Sequence, residues 1–152
     1  MAFYQYQPYV KTGPTGYVLS FDNFQNDNGE NIAVEVAQID GVHYVYVPDD
    51  CIEQIPKQNT KIKWKAVNLT DELKAEIKKA SRLCFLIEQE MQQRIREKYS
   101  LEDELYLNRI TAGVMLGAYQ FEQGEQEQVL GFGMFVEEVR QWGRAERAKI
   151  GL

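Results

Sequence analysis

Histidine, cysteine and proline are all scarce in this sequence, and each scarcity closes off a class of chemistry. His43 is the single histidine, and Cys51 and Cys84 are the two cysteines, with no CxxC pair. A zinc site and a disulfide framework both need more ligands at closer spacing. No metal and no cofactor is therefore expected, and unpaired thiols suit a reducing compartment. All four prolines stand at or before Pro56, so the rest of the chain lacks the residue that breaks helices most strongly. No apolar run nears the roughly 20 residues that span a bilayer. The opening MAFYQYQPYVKTG has no basic region leading into an apolar stretch, so neither a signal peptide nor a membrane span is expected. Positive charge is also short: Lys+Arg 17 against Asp+Glu 23 gives a net charge of -6. That balance opposes the counterion release that drives nucleic-acid binding, and no nucleic-acid partner is expected.

Catalytic signatures are missing too. GxGxxG, GxxxxGK[ST], HExxH and GxSxG do not occur. His43 and Cys51 are separated by Pro48, which says nothing of their distance, and His43 reads as an exposed or edge-strand histidine. Asp49 and Asp50 after Pro48, with Glu53, could hold a cation but also form ordinary turn chemistry. Cys84 reads as a small core residue. A non-enzymatic protein is expected.

What is present is a contrast between two halves. Residues 1–68 carry most of the strand-forming residues and read as a β-rich module, while residues 69–152 read as a helical module. NIAVEVAQIDGVHYVYVP contains runs at Ile32 to Ile39 and Val42 to Val47, joined by Asp40-Gly41, a pair suited to a type I′ hairpin turn. Strict alternation puts Ile32, Val34 and Val36 on one face, and Tyr44 and Tyr46 together on the partner strand. Tyr17 to Phe21 and Lys61 to Val67 are further strand candidates. The second alternates Ile62, Trp64 and Ala66 with Lys61, Lys63 and Lys65, and the lysines read as a solvated face or a guard on a sheet edge. Phe24 to Asn31 is a polar turn or loop. The predicted fold is α+β, an antiparallel sheet followed by about three helices.

Phe3, Tyr4, Tyr6 and Tyr9 crowd the opening segment. Two readings fit them: an aromatic arm that binds a partner, since Tyr offers large contact area at low entropic cost, or an edge strand packed on its own domain.

In the helical half, Thr70 is an N-cap with Asp71 and Glu72 behind it. Leu73, Ile77, Ala80, Cys84, Ile87 and Met91 then step by four and three along one expected helix, a heptad seam. Leu83, Phe85, Leu86 and Ile95 widen it, which favours packing on other helices over a self-associating coil. Ser100 and Asp103 have capping-box spacing, so Glu102, Asp103 and Glu104 mark a helix start rather than a catalytic acid cluster. That helix is expected to run towards Phe121, with Gly113 and Gly117 as kink or close-contact points. A third pattern runs from Val129 to Trp142 into a tail with Arg140, Arg144, Arg147 and Lys149.

The stretches YVYVPDD…IPKQ…WKAVNLTDELKAEIKKAS, RIREKYSLEDELYLNRI and FVEEVRQWGRAERAKIGL, spanning Tyr44 to Leu152, resemble small proteins of the tail gene clusters of tailed bacteriophages and prophages, the tail-associated and tail-fibre assembly proteins. The segment 111–133 is longer and richer in glycine and glutamine than that pattern. The resemblance implies a virion tail component or an assembly chaperone that binds phage tail or tail-fibre proteins, in the bacterial host cytoplasm or in the tail. It supplies no catalytic residues. Partner contact would fall on the aromatic segment and the exposed helical surface, with a homo-oligomer through the helical half as a further option. The alternative is a phage-encoded inhibitor or regulator of a host protein that works by acidic surface mimicry.

Overall fold

The computed structural model describes residues 2–21, 24–25, 28–29, 31–54 and 61–152. Among the described residues, seven strands precede four α-helices. The class is α+β as expected, with one helix more. The strands are β1 (Ala2–Tyr6), β2 (Tyr9–Lys11), β3 (Tyr17–Leu19), β4 (Phe24–Gln25), β5 (Asn31–Ile39), β6 (Val42–Val47) and β7 (Lys65–Val67); the helices are α1 (Asp71–Ala80), α2 (Arg82–Lys98), α3 (Leu101–Met115) and α4 (Glu125–Ala148). A 3-10 turn, Asp49–Gln54, follows β6. Of the expected loop at Phe24 to Asn31, the first two residues are β4 and the last begins β5, while 26, 27 and 30 lie outside the described residues.

The chain divides into two compact units, Met1–Phe85 with Ala148–Leu152, and Leu86–Arg147. The change from strand to helix falls where the sequence predicts it, but the unit boundary does not coincide with residue 68. The first unit also takes in α1, the start of α2 and the last five residues.

In the first unit an antiparallel sheet runs in the order β4-β5-β6-β1-β7, and β2-β3 form a separate ribbon. The predicted hairpin is its centre: Asp40 and Gly41 both have positive φ, 50° and 78°, as a type I′ turn requires. Strict alternation fails along β5, because the register steps over Val36 between Glu35↔Val45 and Ala37↔Tyr44. This bulge puts two successive residues on one face. Val34, Val36, Ala37 and Ile39 therefore join Phe3, Tyr44 and Tyr46 on the face covered by Leu73, Ile77, Cys84, Ile150 and Leu152. The other face carries Tyr6, Ala33, Val45 and Val47 under Phe21, Ile62 and Trp64. Both faces are buried, so neither strand of the hairpin shows a clean polar side. Lys61 to Val67 yields only the short edge strand β7, and Ala66, expected on the apolar face, is exposed.

The long seam helix is broken. Ser81, buried at 2% exposure, ends α1 with extended backbone, and its Oγ accepts a hydrogen bond from the Cys84 N–H at 3.3 Å. One serine thus closes a helix and caps the next. Leu73, Ile77 and Cys84 pack on the sheet in this unit, so most of the first half of the seam is core, while Ala80 is exposed.

The second unit consists of the later part of α2, α3 and α4. Ile95, Leu107, Ile110 and Val139 are buried. Tyr99 meets Phe132 edge-on at 5.0 Å, and the Arg94 guanidinium lies 3.8 Å from the centre of the Trp142 ring. At Gly143 a Cβ would fall 2.3 Å from Met91 Sδ, so α2 and α4 touch where only glycine fits. Ser100 and Asp103 form the predicted capping box, with hydrogen bonds of 3.0 and 3.1 Å. α3 does not run on to Phe121. Gly117, at φ 71°, stops it with hydrogen bonds from its own N–H to the Val114 carbonyl and from the Ala118 N–H to the Gly113 carbonyl, a Schellman motif.

Candidate functional site

The aromatic residues of the opening segment lie within the first unit rather than on a free arm. β1 is an interior strand, hydrogen-bonded to β6 on one side and β7 on the other. Phe3 and Tyr6 are buried, at 4% and 2% exposure, and Tyr4 and Tyr9 are half-buried against the same cores. The binding-arm reading is corrected: the interior strand β1 leaves Phe3, Tyr4 and Tyr6 to the two faces of its own sheet, and Tyr9, on β2 of the separate ribbon, packs against one of those cores.

Around Tyr6 the structure gathers a polar group that sequence reasoning missed. The Tyr6 hydroxyl donates to Glu35 Oε2 at 2.9 Å and accepts from the Phe21 N–H at 2.9 Å. His43 Nδ1 lies 2.6 Å from Glu35 Oε1, and its ring packs on Tyr6 at 4.9 Å. His43 sits on β6, interior to the sheet, with its side chain 13% exposed; the expectation of an exposed or edge histidine is corrected. The network supplies a partner for the buried Phe21 N–H, which would otherwise carry a desolvation cost. Beside it, Trp64 Nε1 is buried with no hydrogen-bond partner among the described residues. Cys51's side chain lies outside the described residues, and Asp49 and Asp50 are exposed on the 3-10 turn.

The lysine row borders an open groove of about 450 Å³ that Tyr9 and Trp64 also line. Lys61 donates to the Tyr17 hydroxyl at 2.6 Å and lies over the Tyr9 and Tyr17 rings. The Tyr17 hydrogen bond raises its pKa. That lysine ties the β2-β3 ribbon to the chain leading into β7.

In the second unit Glu125, at 6% exposure, opens α4 and accepts hydrogen bonds from three donors, the single Tyr119 proton lying within reach of both carboxylate oxygens. Tyr106 donates at 2.5 Å, Tyr119 at 2.9 and 3.0 Å to the two oxygens, and the Glu122 N–H at 2.7 Å. The Tyr106 hydrogen bond, then that of the Glu122 backbone, hold the carboxyl below its ordinary range. The same carboxylate pushes the Tyr119 phenol up to about 12. This clamp fixes the turn between α3 and α4. Sequence reasoning missed this clamp, because the carboxylate's tyrosine partners lie 6 and 19 residues away in sequence.

The helical unit also exposes apolar side chains. Leu101, Leu105, Met115 and Leu116 are 57%, 43%, 82% and 83% exposed, and on α4 Leu130 and Met134 are 58% and 68% exposed. At about 100° per residue, Leu101, Leu105, Asn108, Ala112 and Met115 share one side of α3, all exposed, while Leu107 and Ile110 are buried on the other. α3 is apolar on two opposite sides. Basic residues of the tail are engaged within the unit: Arg147 with Glu88 of α2 at 3.2 Å and Arg144 with Glu137 at 3.6 Å. Among the described residues no helix is long and apolar enough to cross a membrane.

A scan against family models finds no match to the chain, and no curated protein and no solved structure matches it.

Proposed function

We propose that this protein works by protein–protein binding, without catalysis, as a tail-associated component of a phage or prophage or as a chaperone of tail-fibre assembly. The observation that carries the binding reading is the run of exposed leucine and methionine side chains on the helical unit, with Met115 and Leu116 more than four-fifths exposed. Large apolar side chains exposed in a row along one helix are the kind of surface that marks a contact site in soluble proteins. The tail setting rests on the sequence resemblance of Tyr44 to Leu152. The surface assigned to partners is now helical, because Phe3 and Tyr6 belong to a core.

The test is to purify particles from a producing phage or induced lysogen on a density gradient and quantify this protein against a major tail protein by mass spectrometry. A fixed ratio that survives a salt wash is expected of a tail component. Absence from particles, with a tail-fibre protein captured from the lysate, is expected of the chaperone. One-to-one binding to a host enzyme alone would overturn both in favour of a host inhibitor.

A further inference from the structure

We propose that the exposed side of α3 is a seam on which a second copy of this chain packs, antiparallel, about a twofold axis. The inference rests on the reading of the helical unit as a contact surface and names the occupant of one part of it. Leu101, Leu105, Asn108, Ala112 and Met115 step by four, three, four and three along the helix, the spacing by which one helix seats in another. The expected seam from Leu73 to Met91 is interrupted at Ser81 and most of its first half is core; the α3 stripe runs along one unbroken helix and is exposed throughout. With Leu101, Leu105, Met115 and the adjoining Leu116 exposed by 57%, 43%, 82% and 83%, these side chains present on the order of 500 Å² per copy. Two copies would bury on the order of 1,000 Å², the lower end of specific interfaces.

Charge selects the partner and its direction. Glu102 and Arg109 border the seam on one side, seven residues apart, both exposed and neither in an ion pair among the described residues. Antiparallel packing brings Glu102 of each copy towards Arg109 of the other, and the symmetry makes the contact twice. Parallel packing would set Arg109 against Glu104, which Arg96 already holds at 2.5 Å. Asn108, near the middle of the stripe, is a polar residue in an apolar seam, a feature that fixes register at some cost in affinity.

Sedimentation velocity of the full chain over a concentration series tests this. A dimer with a dissociation constant of about micromolar order is expected. Leu105→Asp and Met115→Asp, both at exposed positions, should each weaken it more than about tenfold with circular dichroism and melting temperature unchanged. Glu102→Arg and Arg109→Glu should each weaken it by about threefold or more, and the double exchange should restore it. A monomer at several hundred micromolar would overturn the proposal, as would a dimer indifferent to the seam substitutions. A double exchange that restores nothing would overturn the antiparallel arrangement. A strict monomer that still enters particles at a fixed ratio would sink the self-pairing while leaving the tail reading standing.

Discussion

Glu35 and His43 lie 2.6 Å apart because the β5–β6 register steps over Val36. A regular hairpin closed at Asp40-Gly41 would pair Glu35 with Tyr46 and turn it to the opposite face from His43. With the bulge, Glu35 pairs with Val45 and shares a face with Tyr6 and His43. One extra residue thus both extends the apolar row of Val34, Val36 and Ala37 on one side and completes a polar network on the other.

Tyr6→Phe removes the hydroxyl that serves Glu35 and Phe21 while keeping the ring. The substitution is expected to cost about 2 kcal/mol, because a buried N–H loses its acceptor. Urea unfolding gives the value. Replacing Tyr4, Tyr6 and Tyr9 together with serine should lower the melting temperature steeply, as removal of core aromatics does. An unchanged melting temperature would refute the interior placement of β1.

Glycines on α4 should answer in opposite directions. A Cβ at Gly131 or Gly133 meets nothing within 4 Å, so Gly131→Ala and Gly133→Ala should each add about 0.5–1 kcal/mol through helix propensity. Gly143→Ala should cost about 1–3 kcal/mol by forcing Met91 aside. Thermal melts of the three variants decide it.

The Glu125 clamp predicts a pH profile with two edges. Its carboxyl is held below the ordinary range, so its contribution is present above that range and lost as pH falls through the lowered value. Tyr119 is raised from 10.0 to about 12; its contribution is full below about 10 and is lost as pH rises towards 12. Glu125→Gln should lower the melting temperature by several degrees near neutrality and flatten both edges. Melting temperature against pH measures this.

Ser81→Ala should cost about 1 kcal/mol, since the Cys84 N–H loses its acceptor at a buried helix start. Chemical denaturation reads the loss, and a neutral result would show that backbone alone makes the break.

Local chemistry was legible in the sequence. Asp40-Gly41, Thr70 and the Ser100–Asp103 box sit where the spacing puts them, because a turn or a cap is decided within four residues. Gly117 was read as a kink or close-contact point in a helix running on to Phe121, whereas it is the glycine that ends α3. What the sequence hid were relations set by pairing. The bulge at Val36 depends on which neighbours β6 offers, and the interior place of β1 depends on β7 arriving some 60 residues later. A lone histidine on a strand gave no sign of Glu35, because a diagonal cross-strand contact follows from register alone. The exposed stripe of α3 was masked by its own opposite side, since a helix apolar twice over has no single periodic face.

Residues 148–152 belong to the first unit, and there Ile150 and Leu152 pack on the same sheet face as Phe3. During synthesis those residues leave the ribosome after every strand and after the whole second unit. The sheet therefore keeps one flank open until residues 148–152, which follow the whole helical unit in the chain, return to it. Closure of that flank is a late step of long sequence separation, the kind that slows folding and leaves apolar surface exposed to other chains in the interval.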